Sequence, residues 1–202
     1  MVRLLEPANQ HLKDVIVGAL ETGMRKGELL SLQWKQVRWL QNDLYLPGAK
    51  TKARRDRKIP ISSPLRDVLT RRHYGLTEGP NPQRFKFGPD HYVFGNEAGD
   101  RIQDVKTAWE NVVLKAHGSK PKRTATGGLP IEQQAKLAEI DLHFHDLRHE
   151  AGSRKLEAGW PLHAVSAFLG HANVTTTGRY LNVKDDYLQE LIERKPLTLV
   201  KA

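Results

Sequence analysis

The sequence predicts an α+β domain, mainly α-helical, with a small three-stranded antiparallel sheet at one edge. Helical periodicity recurs over residues 8–22, over 104–115 and from 142 onward, while β-like runs are confined to residues 37–61. At 202 residues with 39% hydrophobic composition, the chain can bury one substantial core, and no repeat or linker divides it.

In order along the chain, Leu12, Val15, Ile16, Ala19 and Leu20 fall on one helical face, and Gly23 interrupts them before a second short helix around Glu28 to Leu32. Three β-like pieces follow, at Val37 to Trp39, Asp43 to Leu46 and Lys58 to Ile61, the last two joined by a strongly basic segment. Ser62 or Ser63 can cap a helix from Pro64 to His73, since proline is tolerated in a first helical turn. A polar loop rich in Pro and Gly then reaches His91 to Phe94. Asp104 to Lys115 reads as an amphipathic helix burying Val105, Ala108, Trp109, Val112 and Val113. GSKPKRTATGGLP, residues 118–130, reads as a flexible basic loop, followed by a short helix from Ile131 to Ile140. From Leu142 the helical signals are broken only at Gly159-Trp160-Pro161, at Gly170 and after Leu181, with a last helix from Asp185 to Arg194.

Thirty-two Lys and Arg against 23 Asp and Glu give a net charge of +9, and the pI is about 9.8. Such a balance points to a polyanionic partner, because neutralising phosphates releases counterions. No run of 18 apolar residues is present and MVRLLEPANQ lacks the apolar core of a signal peptide, so a cytoplasmic protein without membrane contact is expected. The absence of cysteine excludes disulfides, thiolate metal sites and cysteine nucleophiles, leaving oxygen and nitrogen for any covalent chemistry.

Three segments carry candidate chemistry. In ETGMRKGELL, Arg25 follows the glycine turn and Glu28 lies three residues on, close enough to share a helical face; an exposed ion pair is the bland reading. In HFHDLRH, His145 and Arg148 have the same spacing and can aim at one point, whereas His143 faces elsewhere. In LGHANVTTTGRY, a helix ends at Gly170, His171 occupies the turn, and Thr175 or Thr176 can cap a short helix carrying Tyr180. Singly, each of these residues is better read as structural. Their combination carries the functional reading.

TGMRKGELL, HDLRH, LGH and GRY stand in the order and spacing of the catalytic domain of the tyrosine recombinases, the phage-integrase family, which the chain resembles from about Leu12 to Leu181. The resemblance implies a tyrosine-recombinase catalytic fold and a catalytic set of Arg25, His145, Arg148, His171 and Tyr180. It adds a lysine on a β-hairpin, for which AKTKARRDRKIPI offers Lys52, eight residues before Pro60, with Lys50 as the rival. Lys50, Arg54, Arg55, Lys122 and Arg123 are the expected DNA-contacting cations, although Arg54 to Lys58 alone would read as a solvated charged turn. Double-stranded DNA is the implied partner, a tetramer on paired sites the implied assembly, with a monomer as the alternative for the isolated domain, and no metal or other cofactor is implied. A bacterial or phage protein of the nucleoid is expected. Glu150 departs from the family's small or hydroxylated residue, and the 118–140 segment is long. The family's N-terminal DNA-clamping domain has no counterpart, so one isolated catalytic domain is expected.

These residue types suit phosphodiester exchange. Attack on phosphorus builds negative charge that fixed cations stabilise, and guanidinium forks at Arg25 and Arg148 can each hold two phosphate oxygens. His171 would add a donor. Tyrosine, with a free pKa of about 10, needs a cationic field or a base such as His145, and Lys52 can protonate the departing 5′ oxygen. Glu28 orients Arg25. The product expected from the resemblance is a 3′-phosphotyrosine and a free 5′-hydroxyl. A metal hydrolase built on His145 and His149 is disfavoured, because Asp146 stands where HExxH needs glutamate and Arg148 would oppose a cation. A non-catalytic DNA-binding module leaves His171 and Tyr180 unexplained, and a type IB topoisomerase shares the chemistry but not the LGH to GRY spacing.

Overall fold

A helix formed by residues 10–22 is the axis of the fold. The computed structural model describes residues 2–48, 56–74 and 87–171. After a one-turn helix α1 (Val2–Leu5), α2 (Gln10–Thr22) is started by Asn9, whose side-chain oxygen accepts the Leu12 N–H at 2.9 Å. Leu12, Val15, Ile16, Ala19 and Leu20 are all buried, as their spacing predicts. Their burial contributes on the order of 10 kcal/mol before entropy costs. Gly23 then adopts φ 58°, ending the helix in a left-handed turn that leads to α3 (Lys26–Leu30).

Beyond a 3₁₀ turn at Trp34–Gln36, the strands β1 (Val37–Arg38), β2 (Asp43–Leu46) and β3 (Arg57–Pro60) form an antiparallel sheet in the order β1-β2-β3. The register pairs Val37 with Leu44, Leu44 with Ile59, and Leu46 with Arg57. Val37, Leu44 and Ile59 thus form one inward row, and the two-residue period turns Arg57 inward as well. The predicted third strand is shifted by one residue, so Arg57 belongs to it.

Helix α4 (Ser63–Tyr74) buries Leu65, Val68 and Leu69 against α2. In its last turn Arg71 and Arg72 pair with the buried Asp14 of α2 at 2.5 and 3.4 Å, and Arg72 also donates to the Gly95 carbonyl at 2.9 Å. The expected 104–115 helix is α5 (Lys106–Ala116); it starts later because the Asp104 carboxylate accepts the Val105 and Lys106 N–H groups at 2.7 and 2.9 Å. Helix α6 (Ile131–Ile140) keeps its predicted limits. The loop before it is anchored, contrary to the flexible reading. Gln133 accepts the Lys122 N–H at 2.9 Å and donates to the Lys120 carbonyl at 2.7 Å, while Lys136 reaches the Ser119 hydroxyl at 2.6 Å. Helices α7 (Asp146–Glu157) and α8 (Leu162–Leu169) complete the described cluster, α7 packing on α2 and α8 on α7 and β3.

Gly18, midway along α2, faces the Phe94 ring so closely that an added methyl would overlap its edge. In Gly18→Ala a helix-propensity gain of up to about 1 kcal/mol is set against an overpacking cost of about 1–3 kcal/mol, for an expected net loss of roughly 1 kcal/mol. Urea denaturation checks this; unchanged or raised stability would contradict the described packing of Phe94 on α2.

Candidate functional site

The site forms where the C-terminal ends of α2 and α8 meet. Gly170 ends α8 with φ 68°, as Gly23 ends α2. A methyl group on Gly23 would lie 2.7 Å from Leu169 Cδ2 and 2.9 Å from Phe168 Cε1, so both the left-handed turn and the close approach require glycine. Arg148, carried by α7 and only 3% exposed, joins the two ends. Its Nη1 donates to the Gly23 carbonyl and its Nη2 to the Leu169 carbonyl at 2.7 Å. Carbonyls at helix C-termini carry partial negative charge, so a buried guanidinium is well placed there. Arg25 lies two residues beyond Gly23, and His171 two residues beyond Leu169. One arginine therefore positions both turns that carry candidate chemistry.

Arg25 precedes the first residue of α3, and Glu28 folds back onto it. The Glu28 carboxylate accepts the Arg25 backbone N–H through Oε2 and its Nη1 through Oε1, both at 3.1 Å. The Arg25 side chain is 31% exposed and that of Glu28 only 7%. Hence Arg25 stays partly open to solvent while the buried Glu28 holds it, as the three-residue spacing implied.

Arg57 is the residue that sequence reasoning missed. Far from lying in a solvated turn, its side chain is 7% exposed and its Nη2 pairs with Glu28 Oε2 at 3.0 Å. Its Nη1 donates to the Leu169 carbonyl, the acceptor that Arg148 also uses, and its guanidinium packs against Gly170. Burial pushes the Glu28 carboxyl up, but Arg57 and the N–H groups of Arg25 outweigh it and hold the group below its ordinary value. Burial lowers Arg57 despite this pairing with Glu28, and an arginine guanidinium keeps its charge in proteins.

The histidines complete the site. His145 precedes α7 in a turn secured on two sides: Trp109 Nε1 donates to the Leu142 carbonyl at 3.1 Å, and the Asp146 carboxylate accepts the His143 N–H at 2.7 Å. The His145 ring stands edge-on to that of His149, with centroids 5.0 Å apart. Burial, then His149 and Arg148, lower the His145 pKa against the opposing pull of Asp146. His171 is lowered further, to about 4, by burial and then by Arg148, Arg25, His149 and Arg57. Both imidazoles are therefore neutral at pH 7, and the charges felt by His171 place it among the arginines.

Of the residues singled out in the sequence, Arg25, His145, Arg148 and His171 come together. Lys50, Lys52, Arg54, Arg55 and Tyr180 lie outside the described residues. Lys122 is exposed, whereas Arg123 turns back onto α5, reaching Asn111 at 2.8 Å and Glu110 at 3.6 Å. His143 is exposed, 3.6 Å from Asp141. A cleft of about 560 Å³ opens beside His145 between Lys26, Trp109, Leu137 and Phe144; its mainly apolar lining distinguishes it from the arginine cluster. Among the described residues no group of three or more His, Asp or Glu side chains is placed to hold a metal ion, and no helix is long and apolar enough to cross a membrane.

Residues 1–186 match the phage integrase family, and the chain belongs to that family. It is 29% identical over 178 residues to the tyrosine recombinase XerA of Pyrococcus furiosus, covering 87% of this chain and 51% of that protein. It is 31% identical over 167 residues to the shufflon-specific DNA recombinase of Escherichia coli, covering 82% and 33% respectively. The chain thus spans about half, or less, of these curated relatives. Among solved structures, the catalytic domain of bacteriophage HP1 integrase matches with a TM-score of 0.57 and 22% identity over 100% of this chain and 94% of that one. The Tn1549 transposon integrase in complex with circular intermediate DNA matches with a TM-score of 0.60 and 21% identity, over 92% and 58%. These structures establish a tyrosine-recombinase catalytic fold, mainly helical with a three-stranded antiparallel sheet.

Gly170→Ala tests this construction. A left-handed alanine costs about 1–2 kcal/mol, and its methyl would also displace the Arg57 guanidinium. Denaturant unfolding is expected to show a loss of at least about 1 kcal/mol; unchanged stability would contradict the placement of Arg57 against this turn.

Proposed function

We propose that this chain is the strand-cleaving and rejoining domain of a site-specific DNA recombinase that works through a 3′-phosphotyrosine. The observation that carries the reading is the convergence of the partly exposed Arg25 and of His171 around the buried Arg148, with His145 at the start of the helix that bears Arg148.

Arg25, partly exposed, grips non-bridging oxygens of the scissile phosphate, and Arg148 beneath it supplies charge where the phosphorane develops. His171, neutral at pH 7, donates through a ring N–H. His145, also neutral, accepts the Tyr180 hydroxyl proton as the phenolic oxygen attacks phosphorus. The bond to the 5′ oxygen breaks, and that oxygen takes a proton from Lys52, or from its rival Lys50. One phosphoester replaces another, so rejoining needs no nucleotide hydrolysis. Attack on the phosphotyrosine by the original 5′-hydroxyl restores the strand, and attack by a partner's hydroxyl recombines it.

Double-stranded DNA is the proposed partner, supported by the +9 charge and by the DNA bound to the fold-related Tn1549 integrase. The 5′-to-3′ exchange between partners requires paired sites, for which four copies, one per exchanged strand, are the proposed assembly. Exposed Lys122 is a proposed backbone contact, as are Lys50, Arg54 and Arg55; Arg123, engaged with Glu110, is a weaker one. Residues 1–202 are proposed to act as one catalytic domain, working in the nucleoid.

Incubation with a nicked duplex whose cleavage releases a short strand is expected to yield a denaturant-resistant protein–DNA adduct. Tyr180→Phe should abolish the adduct while changing duplex affinity less than about threefold, since it removes a nucleophile and no charge. An adduct formed by the Phe variant would overturn the assignment of Tyr180.

A further inference from the structure

The Glu28 carboxylate is shared by two arginines, and only Arg25 among them is partly exposed. Glu28 Oε1 takes Arg25 Nη1, whereas Oε2 takes the Arg25 backbone N–H and Arg57 Nη2. Arg25, Glu28 and Arg57 together carry a net single positive charge. Without Arg57 the trio is neutral, and a carboxylate only 7% exposed must draw all its compensation from Arg25. The same guanidinium donates to the Leu169 carbonyl, one residue before Gly170 and two before His171.

We propose that Arg57 is a positioning residue for phosphate capture: it neutralises Glu28 so that Arg25 stays available to the substrate, and it fixes the Leu169 carbonyl beneath His171. The inference rests on the DNA-cleavage reading above and adds to it a residue that does not itself touch the phosphate.

Structural mortar is the competing reading. Stability alone is a weak reason for such a pair, because burying two ions costs solvation that their attraction barely recovers, and apolar replacements are often neutral or stabilising. Among the described residues Arg57 Nε is buried with no hydrogen-bond partner, a further cost that a purely structural residue would carry for no return. Its register opposite Leu46 would suit an apolar side chain equally well.

The two readings separate in a double-mutant cycle on the full 202-residue chain. Arg57→Gln is expected to lower the single-turnover rate of adduct formation at saturating nicked duplex by roughly a hundredfold, the scale of a misplaced catalytic group. Duplex affinity should change far less. Glu28→Gln combined with Arg57→Gln restores the net positive charge and is expected to regain about tenfold over Arg57→Gln alone. A double variant as slow as Arg57→Gln, or slower, overturns the proposal and leaves Arg57 structural. Circular dichroism and thermal melting fix the assay below the unfolding range of every variant. Should Arg57→Gln not fold, Arg57→Lys carries the test: it keeps the charge but loses the fork, so it should retain at least a tenth of the wild-type rate, and a complete loss would count against charge balance. If the wild-type chain forms no adduct, the cleavage reading fails first. The inference is then judged by orthophosphate titration of the Arg25 guanidinium resonance, expected to weaken in Arg57→Gln and to recover in the double variant; equal affinities in all three would overturn it.

Discussion

The bridge made by Arg148 between the Gly23 and Leu169 carbonyls is the interaction on which the rest of the site depends. Two helices that are far apart in sequence end at the same place, each in a left-handed glycine turn, and each end exposes carbonyls that no helical N–H can satisfy. A single guanidinium from a third helix answers both. The chain leaving each turn then delivers a polar side chain, Arg25 from one and His171 from the other. The packing of α2 against α7 is thereby converted into a chemical arrangement: what holds the helices together also sets the separation of the groups that meet the substrate.

Electrostatic balance is the second constraint. Arg25, Arg57 and Arg148 crowd one corner, and the described structure tempers their repulsion with one carboxylate, Glu28, and with helix-terminal carbonyls. The residual positive charge is what an incoming phosphate would neutralise. Burial first, and the neighbouring positive charge after it, hold the histidines neutral although the site is made for an anion. His145 is thus ready to accept a proton, and His171 can donate a hydrogen bond without first being charged.

Much of this was legible in the sequence because it is periodic or locally spaced. The buried face of α2 and the three strands follow from apolar repeats, and the Arg25–Glu28 contact follows from a three-residue interval. Arg57 was not legible, for a physical reason: within Lys50 to Lys58 six residues of nine are basic, and composition assigns such a run to solvent. The signal was the strand period, since Arg57 stands two residues before the inward Ile59 and so shares its face. The 118–130 loop escaped for the opposite reason. Its glycines and lysines suggest mobility, but its anchors, Gln133 and Lys136, lie on the following helix. The family itself was carried by motifs, each weak alone, whose order and spacing agree.

Titration of His171 tests the central claim most directly, because its value reports whether the two turns and their arginines are assembled in the DNA-free protein. The folded pKa of about 4 lies below the unfolded value of about 6.5. The folded state therefore binds fewer protons between those limits, and stability should fall as pH drops through that window. Imidazole chemical shifts of specifically assigned His171, followed by NMR from pH 8 downward at a temperature where the chain stays folded, are expected to show a midpoint well below 6, near about 4. A midpoint at or above about 6.5 would mean that His171 does not lie among Arg25, Arg57 and Arg148, and would contradict the account.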